Sequence, residues 1–488
     1  MHWKFLLFGI TGNLAKIKIL PGLSQFARLN SDKVSVELIG YSRSLPKIEE
    51  IELALNLGLD NSVHTKFTPN KVKIQDNSKN SPQKKHNLTK ISFIQGSYED
   101  GTVLFEEISR LQKDEKLVVY LAVPPSTFIK FLQNACPFSQ SLLDIVVEKP
   151  FGRDPIEAEK LLSIVNSCNL HSQVHFCDHY LFKNATLPSP EQVSQIQSFF
   201  DNSDSHLKLP NKNSPEIIQN TEEDNTNLPN SDSKITKKSS IFLGDSKNPT
   251  ITKDLISPIN SPSLETKISK DFIHIQILEK VDLVGRAGYF DSTGALKDMW
   301  PHLFSLLVLT LQTAGFDKLL ELKDVIVEQV FLGQYASYCQ EAGLEDSVTE
   351  TYFRIKLQAK NLEIILESGK NLPTKITQIE LVTKNSQNQV KKLIWNIYPH
   401  QNLTLQNSVE KNLKSENIQN KSQIIELAKE KLDQTNLFEF LLVENKNHFV
   451  STEKIRQSWQ IWQKIMDFIA FNQIKIDIYD DQKLPQIN

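Results

Sequence analysis

The chain has 488 residues, enough for two or three domains with substantial hydrophobic cores. Its 55 Lys and Arg residues nearly balance 58 Asp and Glu residues, and a net charge of −3 gives no electrostatic reason to expect nucleic acid or a membrane surface as a partner. No apolar run approaches the roughly 18 residues of a membrane span. The four cysteines form no CxxC pair, which indicates neither a metal site nor a disulfide framework, so we expect a cytoplasmic protein in a reducing compartment.

In the first third of the chain, apolar runs alternate with helix-like segments. This alternation predicts a parallel sheet with helices on both faces, in a Rossmann-like domain over residues 1–180. The polar segment Lys71–Lys85 is predicted to be a loop insertion. The predicted strands are Phe5–Phe8, Val34–Ile39, Lys90–Phe93, Leu117–Ala122 and Ile145–Val147, with helices such as Ala15–Leu29 and Thr102–Leu111 between them.

The first predicted strand runs into a glycine-rich turn that precedes a helix. The two glycines permit a tight turn, and the amides at the helix start favour a phosphate group. A short glycine motif is weak evidence alone, but its place after the first strand strengthens it. The predicted cofactor-binding residues in this turn are Gly9, Thr11, Gly12, Asn13 and Leu14.

The end of the second predicted strand indicates which dinucleotide binds. NAD-binding domains usually place an acidic residue there to bond the ribose 2′-hydroxyl. Here no acid follows Gly40, and Arg43 with Ser42 and Ser44 suits a 2′-phosphate. The sequence therefore predicts NADP as the cofactor.

The fifth predicted strand ends in Glu148-Lys149-Pro150. It delivers Lys149 to the carboxyl edge of the sheet, where ligands of such folds bind. We expect Glu148 to hold this lysine, and a cis peptide bond before Pro150 would fix the turn.

Four chemically different side chains follow within six positions: Asp178, His179, Tyr180 and Lys183. A carboxylate, an imidazole, a phenol and an ammonium group can together orient a general base and bind an anion. Taken alone, the cluster is better interpreted as a polar surface turn. Because other segments far apart in the sequence, such as the glycine-rich turn and Glu148-Lys149-Pro150, point to the same chemistry, we predict that it is part of an active site.

Beyond this cluster the pattern changes. A stretch at about 188–269 is rich in Asn, Ser, Asp, Lys and Pro and is predicted to be a disordered insertion. From Asp271 onward, alternating strands without regular helices between them predict a large, mostly antiparallel sheet, in an α+β domain over residues 181–488. Helices are expected at His302–Thr313 and Thr452–Phe471, and the polar stretch Gln401–Lys421 is expected to be loosely ordered.

The order of these segments resembles that of the glucose-6-phosphate dehydrogenase family. That family carries a G-x-x-G-D-L-A turn, a G-Y-x-R-S strand end, an E-K-P-F-G segment and an R-I-D-H-Y-L-G-K-E segment. The corresponding segments here are Gly9–Ala15, Gly40–Ser44, Glu148–Gly152 and Phe176–Asn184, and later matches are Arg286–Asp291, Leu332–Tyr335, Thr349–Thr351 and Ser368–Lys370.

The resemblance implies oxidation of glucose 6-phosphate at C1 to the lactone with formation of NADPH, the first step of the oxidative pentose phosphate pathway. It implies that His302 is the base, that Asp178 is its partner, that Lys149 contacts sugar and cofactor, and that the chain forms a homodimer or homotetramer. The implied substrate-binding residues are Lys149, His179, Tyr180, Lys183, Glu279, Asp298, Lys370 and Lys375.

Two departures from the family pattern leave alternatives open. The segment from Asp298 to His302 is one residue shorter than the family's D-x-x-Q-N-H, and one helical residue is a rotation of about 100 degrees. Phe182 stands where the family has Gly, so its ring is expected to crowd the backbone. The alternatives are a catalytically impaired member that binds NADP or partner chains, and another sugar oxidoreductase with an E-K-P type of site.

Overall fold

The structure, a computed structural model, describes residues 1–57, 87–201, 271–281, 287–316, 325–384, 389–409, 421–427 and 431–487. The predicted loop at 71–85 and residues 202–269 of the predicted insertion lie outside these ranges. The elements below belong to one compact unit, Met1–Lys208 with Lys267–Pro485. Within the described ranges, no helix is long and apolar enough to cross a membrane.

Parallel strands form the first sheet, and each predicted strand of this region is confirmed. They are β1 (His2–Phe8), β2 (Ser35–Ser42), β3 (Leu88–Gln95), β4 (Glu115–Leu121), β5 (Leu143–Glu148) and β6 (Val174–Cys177), of which β6 was not predicted. Their spatial order is β3-β2-β1-β4-β5-β6. Since the order reverses between β1 and β4, the ligand crevice is expected beside the carboxyl ends of these two strands.

Helices cover both faces of this sheet. On β1, Phe5 and Leu7 pack into one buried layer, and Leu6 and Phe8 pack into the other. Burial on both faces explains why these strands appear in the sequence as continuous apolar runs. A π-helical turn at Ala15–Ile19 leads into α1 (Leu20–Leu29), and the other helices are α2 (Ile48–Leu57), α3 (Thr102–Ser109), α4 (Phe128–Ala135) and α5 (Pro155–Ser167).

The second sheet has the order β14-β13-β12-β11-β7-β10-β9-β8-β15 in the described ranges. Neighbours pair antiparallel except β7 with β10 and β8 with β15, which confirms the predicted, mostly antiparallel sheet. The strands are β7 (Asp271–Leu278), β8 (Ile326–Tyr335), β9 (Tyr352–Ala359), β10 (Leu362–Gly369), β11 (Ile376–Lys384), β12 (Gln389–Tyr398), β13 (Asn402–Val409), β14 (Lys421–Glu426) and β15 (Ile476–Tyr479).

Helices join the second sheet to the first. A long helix packs on β7, β9 and β10, and the two last helices pack against α1 and α5 respectively. Val450 forms an antiparallel bridge with Phe176, so the chain before the last helix covers the edge of β6. These helices are α6 (Pro190–Asp201), α7 (Ala287–Asp291), α8 (Gly294–Thr313), α9 (Tyr338–Ala342), α10 (Asp433–Leu442) and α11 (Thr452–Asn472).

Four sequence predictions require correction. Residues 190–201 form α6, so the start of the predicted insertion is helical, because Ile196 and Phe200 are buried one turn apart. Residues 402–409 form β13, not a loosely ordered stretch. Helix α8 begins at Gly294 and continues through Pro301. Cys136 and Cys168 form a disulfide, because the ends of α4 and α5 lie side by side, with Cα atoms 4.9 Å apart.

Candidate active site

The glycine-rich turn lies at the carboxyl ends of β1 and β4. Gly9 has a φ of +85°, and a Cβ atom there would lie 2.2 Å from the carbonyl oxygen of Ala122, which follows β4. The amide of Gly12 donates to the carbonyl oxygen of Gly9 at 2.9 Å, which closes the turn. Only glycine fits the first position, and the turn therefore brings bare backbone to the crevice where a dinucleotide phosphate binds. Thr11, Asn13 and Leu14 lie on the same turn, where Thr11 and Leu14 are half-buried and Asn13 is exposed.

Arg43 follows β2 and is exposed at the same edge of the sheet. Its guanidinium carbon lies 5.5 Å from the centre of the Tyr98 ring, and its backbone carbonyl accepts a hydrogen bond from Gln95. Within the described ranges no carboxylate pairs with this guanidinium, so it is available to an anion. The Ser42 hydroxyl instead donates to the carbonyl oxygen of Ser44 at 2.6 Å, which shapes the turn.

Lys149 follows β5 and reaches across to α8. Its ammonium group donates to the carbonyl oxygen and to Oδ1 of Asp298, both at 2.9 Å. The peptide bond before Pro150 is cis. The buried carboxylate of Glu148 accepts a hydrogen bond from the Tyr120 hydroxyl on β4. Burial raises the pKa of Glu148, and the Lys149 ammonium group is among the groups that oppose this rise.

Asp178 and His302 meet at the centre of the site. Oδ1 of Asp178 lies 2.7 Å from Nδ1 of His302 and also accepts a hydrogen bond from the backbone amide of Tyr180 at 2.9 Å. The two residues are 0% and 2% exposed, so bulk water is excluded from their hydrogen bond. The shorter segment before His302 therefore does not turn the imidazole away from Asp178. Asp298 lies one helical turn earlier on α8, and the i, i+4 spacing puts both side chains on one face.

The charges of this pair follow from burial and mutual stabilisation. Burial opposes ionisation of Asp178, but the His302 imidazole and hydrogen bonds to the carboxylate outweigh it and lower the pKa of Asp178. Burial lowers the pKa of the His302 imidazole by more than Asp178 raises it. At neutral pH the carboxylate is charged and the imidazole neutral, so Nδ1–H donates to Asp178 and Nε2 keeps its lone pair.

His179, Tyr180 and Lys183 line the neighbouring part of the site. The rings of His179 and Tyr180 lie 4.7 and 4.5 Å from the His302 ring, and burial lowers the pKa of His179 well below its usual value. The ammonium group of Lys183 lies 4.8 Å from the Tyr180 ring centre and 3.2 Å from Oδ2 of Asp433. The cluster thus presents a neutral imidazole and an ammonium group beside the Asp178 pair.

Phe182 does not crowd this cluster. Its ring is 0% exposed and points into the core, 5.8 Å from the Phe440 ring and 5.1 Å from the Phe449 ring. The expectation of crowding was wrong, because the ring faces away from Tyr180 and Lys183 and stabilises the packing of the segment.

Strands of the second sheet supply the remaining predicted residues. Lys370, after β10, is buried and its ammonium group bonds the carboxylate of Glu279, after β7. Lys375 stands apart: it is exposed, and its ammonium group lies 4.6 Å from the centre of the Tyr398 ring. Burial opposes ionisation of Asp298, but Lys149 outweighs it and lowers the pKa of Asp298 to about 2.

Two residues of the site were not predicted. Lys18 lies on the π-helical turn after the glycine-rich loop, where burial and then the charge of Lys183 lower its pKa. Asp433, the first residue of α10, holds Lys183. The only local signal for Lys18 was its place just after the phosphate loop. No local pattern indicated Asp433, which is 250 positions from its partner.

Asp178, His179 and His302 offer atoms within 4.8 Å of one another that could hold a metal ion. Nδ1 of His302 is already engaged by Asp178. The arrangement therefore suits proton transfer through Nε2 better than metal binding.

Comparison with known proteins gives a consistent result over nearly the whole chain. The family described as "Glucose-6-phosphate dehydrogenase, NAD binding domain" matches residues 6–186, and "Glucose-6-phosphate dehydrogenase, C-terminal domain" matches residues 264–484. Glucose-6-phosphate 1-dehydrogenase 5, cytoplasmic, of Arabidopsis thaliana is 24% identical and covers 96% of this chain and 86% of its own length. Glucose-6-phosphate 1-dehydrogenase of Dictyostelium discoideum is 23% identical, and the alignment covers 97% of this chain and 90% of that protein.

Solved structures support the same fold. A glucose-6-phosphate dehydrogenase in complex with its substrate glucose-6-phosphate superposes with a TM-score of 0.67 at 18% identity, covering 99% of this chain and 95% of that one. Glucose-6-phosphate 1-dehydrogenase from Mycobacterium avium superposes with a TM-score of 0.65 at 18% identity, covering 98% of this chain and 94% of that one. These likenesses establish the architecture of two sheets joined by helices.

Proposed function

This chain belongs to the glucose-6-phosphate dehydrogenase family, and we propose that it oxidises glucose 6-phosphate at C1 to 6-phosphogluconolactone, with hydride transfer to NADP. The observation that carries the proposal for these residues is the buried hydrogen bond between Asp178 and His302. It joins a base to its orienting carboxylate beside a set of lysines that suit a sugar phosphate.

The proposed base is Nε2 of His302. Because Nδ1–H is held by Asp178, the lone pair of Nε2 is free to take the proton of the C1 hydroxyl. As that proton arrives, the imidazole becomes a cation, and the ionised carboxylate of Asp178 stabilises it. A positioned base of this kind contributes roughly 10²–10⁴-fold in rate.

Charged side chains around the base would hold the substrate. Lys183, with His179 and Tyr180, is suited to the phosphate, and the carboxylates of Glu279 and Asp298 are suited to sugar hydroxyls. Lys149 lies between Asp298 and the cofactor edge of the first sheet, which suits contact with both sugar and dinucleotide. Lys370 would hold Glu279 in place. Lys375, which is exposed and lies over the Tyr398 ring, stands apart from these groups.

The residues of the first sheet fit NADP. Gly9 leaves room for a pyrophosphate against the backbone, and the exposed guanidinium of Arg43, which pairs with no carboxylate within the described ranges, suits a 2′-phosphate. NADP, when bound, supplies the acceptor of the hydride. The turn Gly9–Leu14 would orient the cofactor, and Lys149 would lie at its nicotinamide end.

A substrate panel tests the proposal. The purified chain is incubated with NADP and either glucose 6-phosphate or glucose, and NADPH absorbance is followed. Rapid turnover of glucose 6-phosphate alone is expected. A folded chain that binds NADP without turnover would indicate the catalytically impaired alternative, and equal rates with glucose would indicate another sugar oxidoreductase.

We also propose that the chain assembles as a homodimer or homotetramer and acts in the cytoplasm. The family membership supports the first proposal, and the Arabidopsis relative, named cytoplasmic, supports the second. Sedimentation equilibrium of the purified chain tests assembly, and microscopy of a fluorescent fusion in its own cells tests location.

A further inference from the structure

A cavity of about 630 Å³ lies behind the site, on the side of α8 away from the second sheet's substrate residues. It is lined by α6, α8 and the segment Lys446–Ser451 that precedes α11, and it is partly open to solvent. Its volume falls in the range of about 300–1,000 Å³ typical of small-molecule sites. Apolar atoms form the larger part of its lining surface, contributed by side chains such as Leu181, Val193, Phe304, Val308, Leu309 and Phe449, beside ten polar residues.

The polar part of this cavity is basic. Lys446 and Lys454 line it, and no acidic residue does. In the described part of the chain neither lysine forms an ion pair with a carboxylate, in contrast to Lys149, Lys183 and Lys370. Lys454 is half-buried, and among the described residues its ammonium group bonds the side-chain oxygen of Gln457, at 3.2 Å. An ammonium group in an apolar wall without a counter-charge is disfavoured by desolvation and gains from an anionic ligand.

A histidine adds a second unsatisfied group. Nδ1 of His448 is buried and, among the described residues, has no hydrogen-bond partner. Its ring packs on the Phe440 ring at 4.3 Å, which fixes its orientation. Buried polar atoms in folded proteins normally have a partner, so this atom marks a place where a ligand group completes the structure.

We propose that this cavity is a binding site for an amphipathic organic anion, a carboxylate with an aliphatic chain. The chain would lie along Val193, Phe304 and Val308, and the carboxylate would accept hydrogen bonds from Lys454 at the mouth. An anionic head is chosen because Lys454 pairs with no carboxylate among the described residues, and an aliphatic body because apolar atoms form the larger part of the lining surface.

The cavity adjoins the catalytic pair at Ser305. This buried serine lines the cavity and lies three residues after His302 on α8, which puts the two side chains on one face of the helix. Because Ser305 shares this face with His302, occupation of the cavity is expected to change kcat rather than the KM for glucose 6-phosphate. This coupling rests on the proposed function, whereas the binding site does not.

Calorimetric titration of the full chain with decanoate, without NADP or sugar, tests the site. One saturable binding event is expected, and decyltrimethylammonium, of similar length and opposite charge, is expected not to bind. Lys454→Gln should weaken decanoate binding about tenfold or more, as for loss of a charge-assisted hydrogen bond. Val308→Trp, which fills the cavity, should abolish it.

The matched control is Lys113→Gln, the same loss of charge at an exposed lysine outside the cavity, which should bind decanoate like the unmodified chain. Melting temperatures establish that each variant is folded. No saturable binding to the unmodified chain, or equal affinity in Lys454→Gln, would overturn the site. Saturating decanoate that leaves kcat unchanged would overturn the coupling to the catalytic pair, and this kinetic arm is separate from the titration, which needs no turnover.

Discussion

Replacing Asp178 by Asn is expected to reduce kcat about 10³-fold. The substitution preserves side-chain shape and removes the charge that faces His302 across a 2.7 Å hydrogen bond. Two unit charges about 4 Å apart interact by about 4 kcal/mol at an effective dielectric constant of about 20. Since about 1.36 kcal/mol corresponds to tenfold in rate, losing this stabilisation of the imidazolium costs about three powers of ten. Initial rates of NADPH formation at saturating substrates measure the effect.

The chain offers a matched control in a second buried pair. Asp144 and His175 lie at the opposite end of β5 and β6, with Oδ1 and Nε2 2.8 Å apart. Asp144→Asn removes the same charge from an equally buried imidazole, and is expected to lower the melting temperature without lowering kcat. If folded Asp178→Asn keeps more than a tenth of kcat, or if Asp144→Asn loses as much as Asp178→Asn, the assignment of the base pair is wrong.

The pH dependence of kcat/KM tests the same assignment independently, because the direction of its shift is predicted. His302 acts as a neutral base, so kcat/KM falls as pH drops through its pKa, which burial holds below its usual value of about 6.5. Asp178 raises this pKa, so its removal lowers it further. The acid limb of the Asp178→Asn profile should therefore move to lower pH, and a shift to higher pH would contradict the mechanism.

Two further predictions concern the first domain. Arg43→Leu should raise the KM for NADP about tenfold or more and leave the KM for NAD nearly unchanged, since a charge-assisted hydrogen bond contributes about 1.5–3 kcal/mol. Tyr98→Leu should also raise the KM for NADP, but by less, because the Tyr98 ring supports Arg43. Tyr98→Phe keeps the ring and should have the same KM for NADP as the unmodified chain. Equal changes for NAD and NADP in steady-state kinetics would exclude a 2′-phosphate site. Cys136→Ser should lower the free energy of unfolding by about 3–4 kcal/mol, as expected for a cross-link to Cys168 over 32 residues, with kcat unchanged. An unfolding midpoint in guanidinium equal to that of the unmodified chain would refute this contribution.

The parts of the fold that could be predicted are those whose signal is local. Strands buried on both faces must be apolar at every position, as in Ile145–Val147, and a lysine that follows such a strand must lie at its carboxyl edge. The polar strand β13 illustrates the opposite case. Leu403 and Leu405 alternate with polar residues and are buried, but the overall polarity of the stretch concealed this two-residue period.

Pro301 shows why the position of His302 could not be settled from spacing. Proline cannot donate the hydrogen bond that closes a helical turn and displaces the carbonyl group four residues earlier. Helix α8 nonetheless continues, and beside this opening the carbonyl oxygen of Asp298 accepts a hydrogen bond from Lys149. The carbonyl that loses its donor to Pro301 is that of Lys297, and Lys149 bonds the next carbonyl, that of Asp298. No periodicity in the sequence could indicate this contact between residues 149 positions apart.

The charges of the site follow a rule that distinguishes it from the cavity behind α8. Lys149, Lys183 and Lys370 each bond a carboxylate, and these contacts span 149, 250 and 91 positions. Because an unpaired charge in such a place would cost several kcal/mol, the site is stable before any substrate enters. A sugar phosphate must therefore replace these carboxylates as the partner of the lysines, while its hydroxyl groups bond the carboxylates. The affinity of the site then depends on geometry, and anions that lack hydroxyl groups are disfavoured. Among the described residues Lys454 bonds no carboxylate, so an anion that binds there has no such partner to displace.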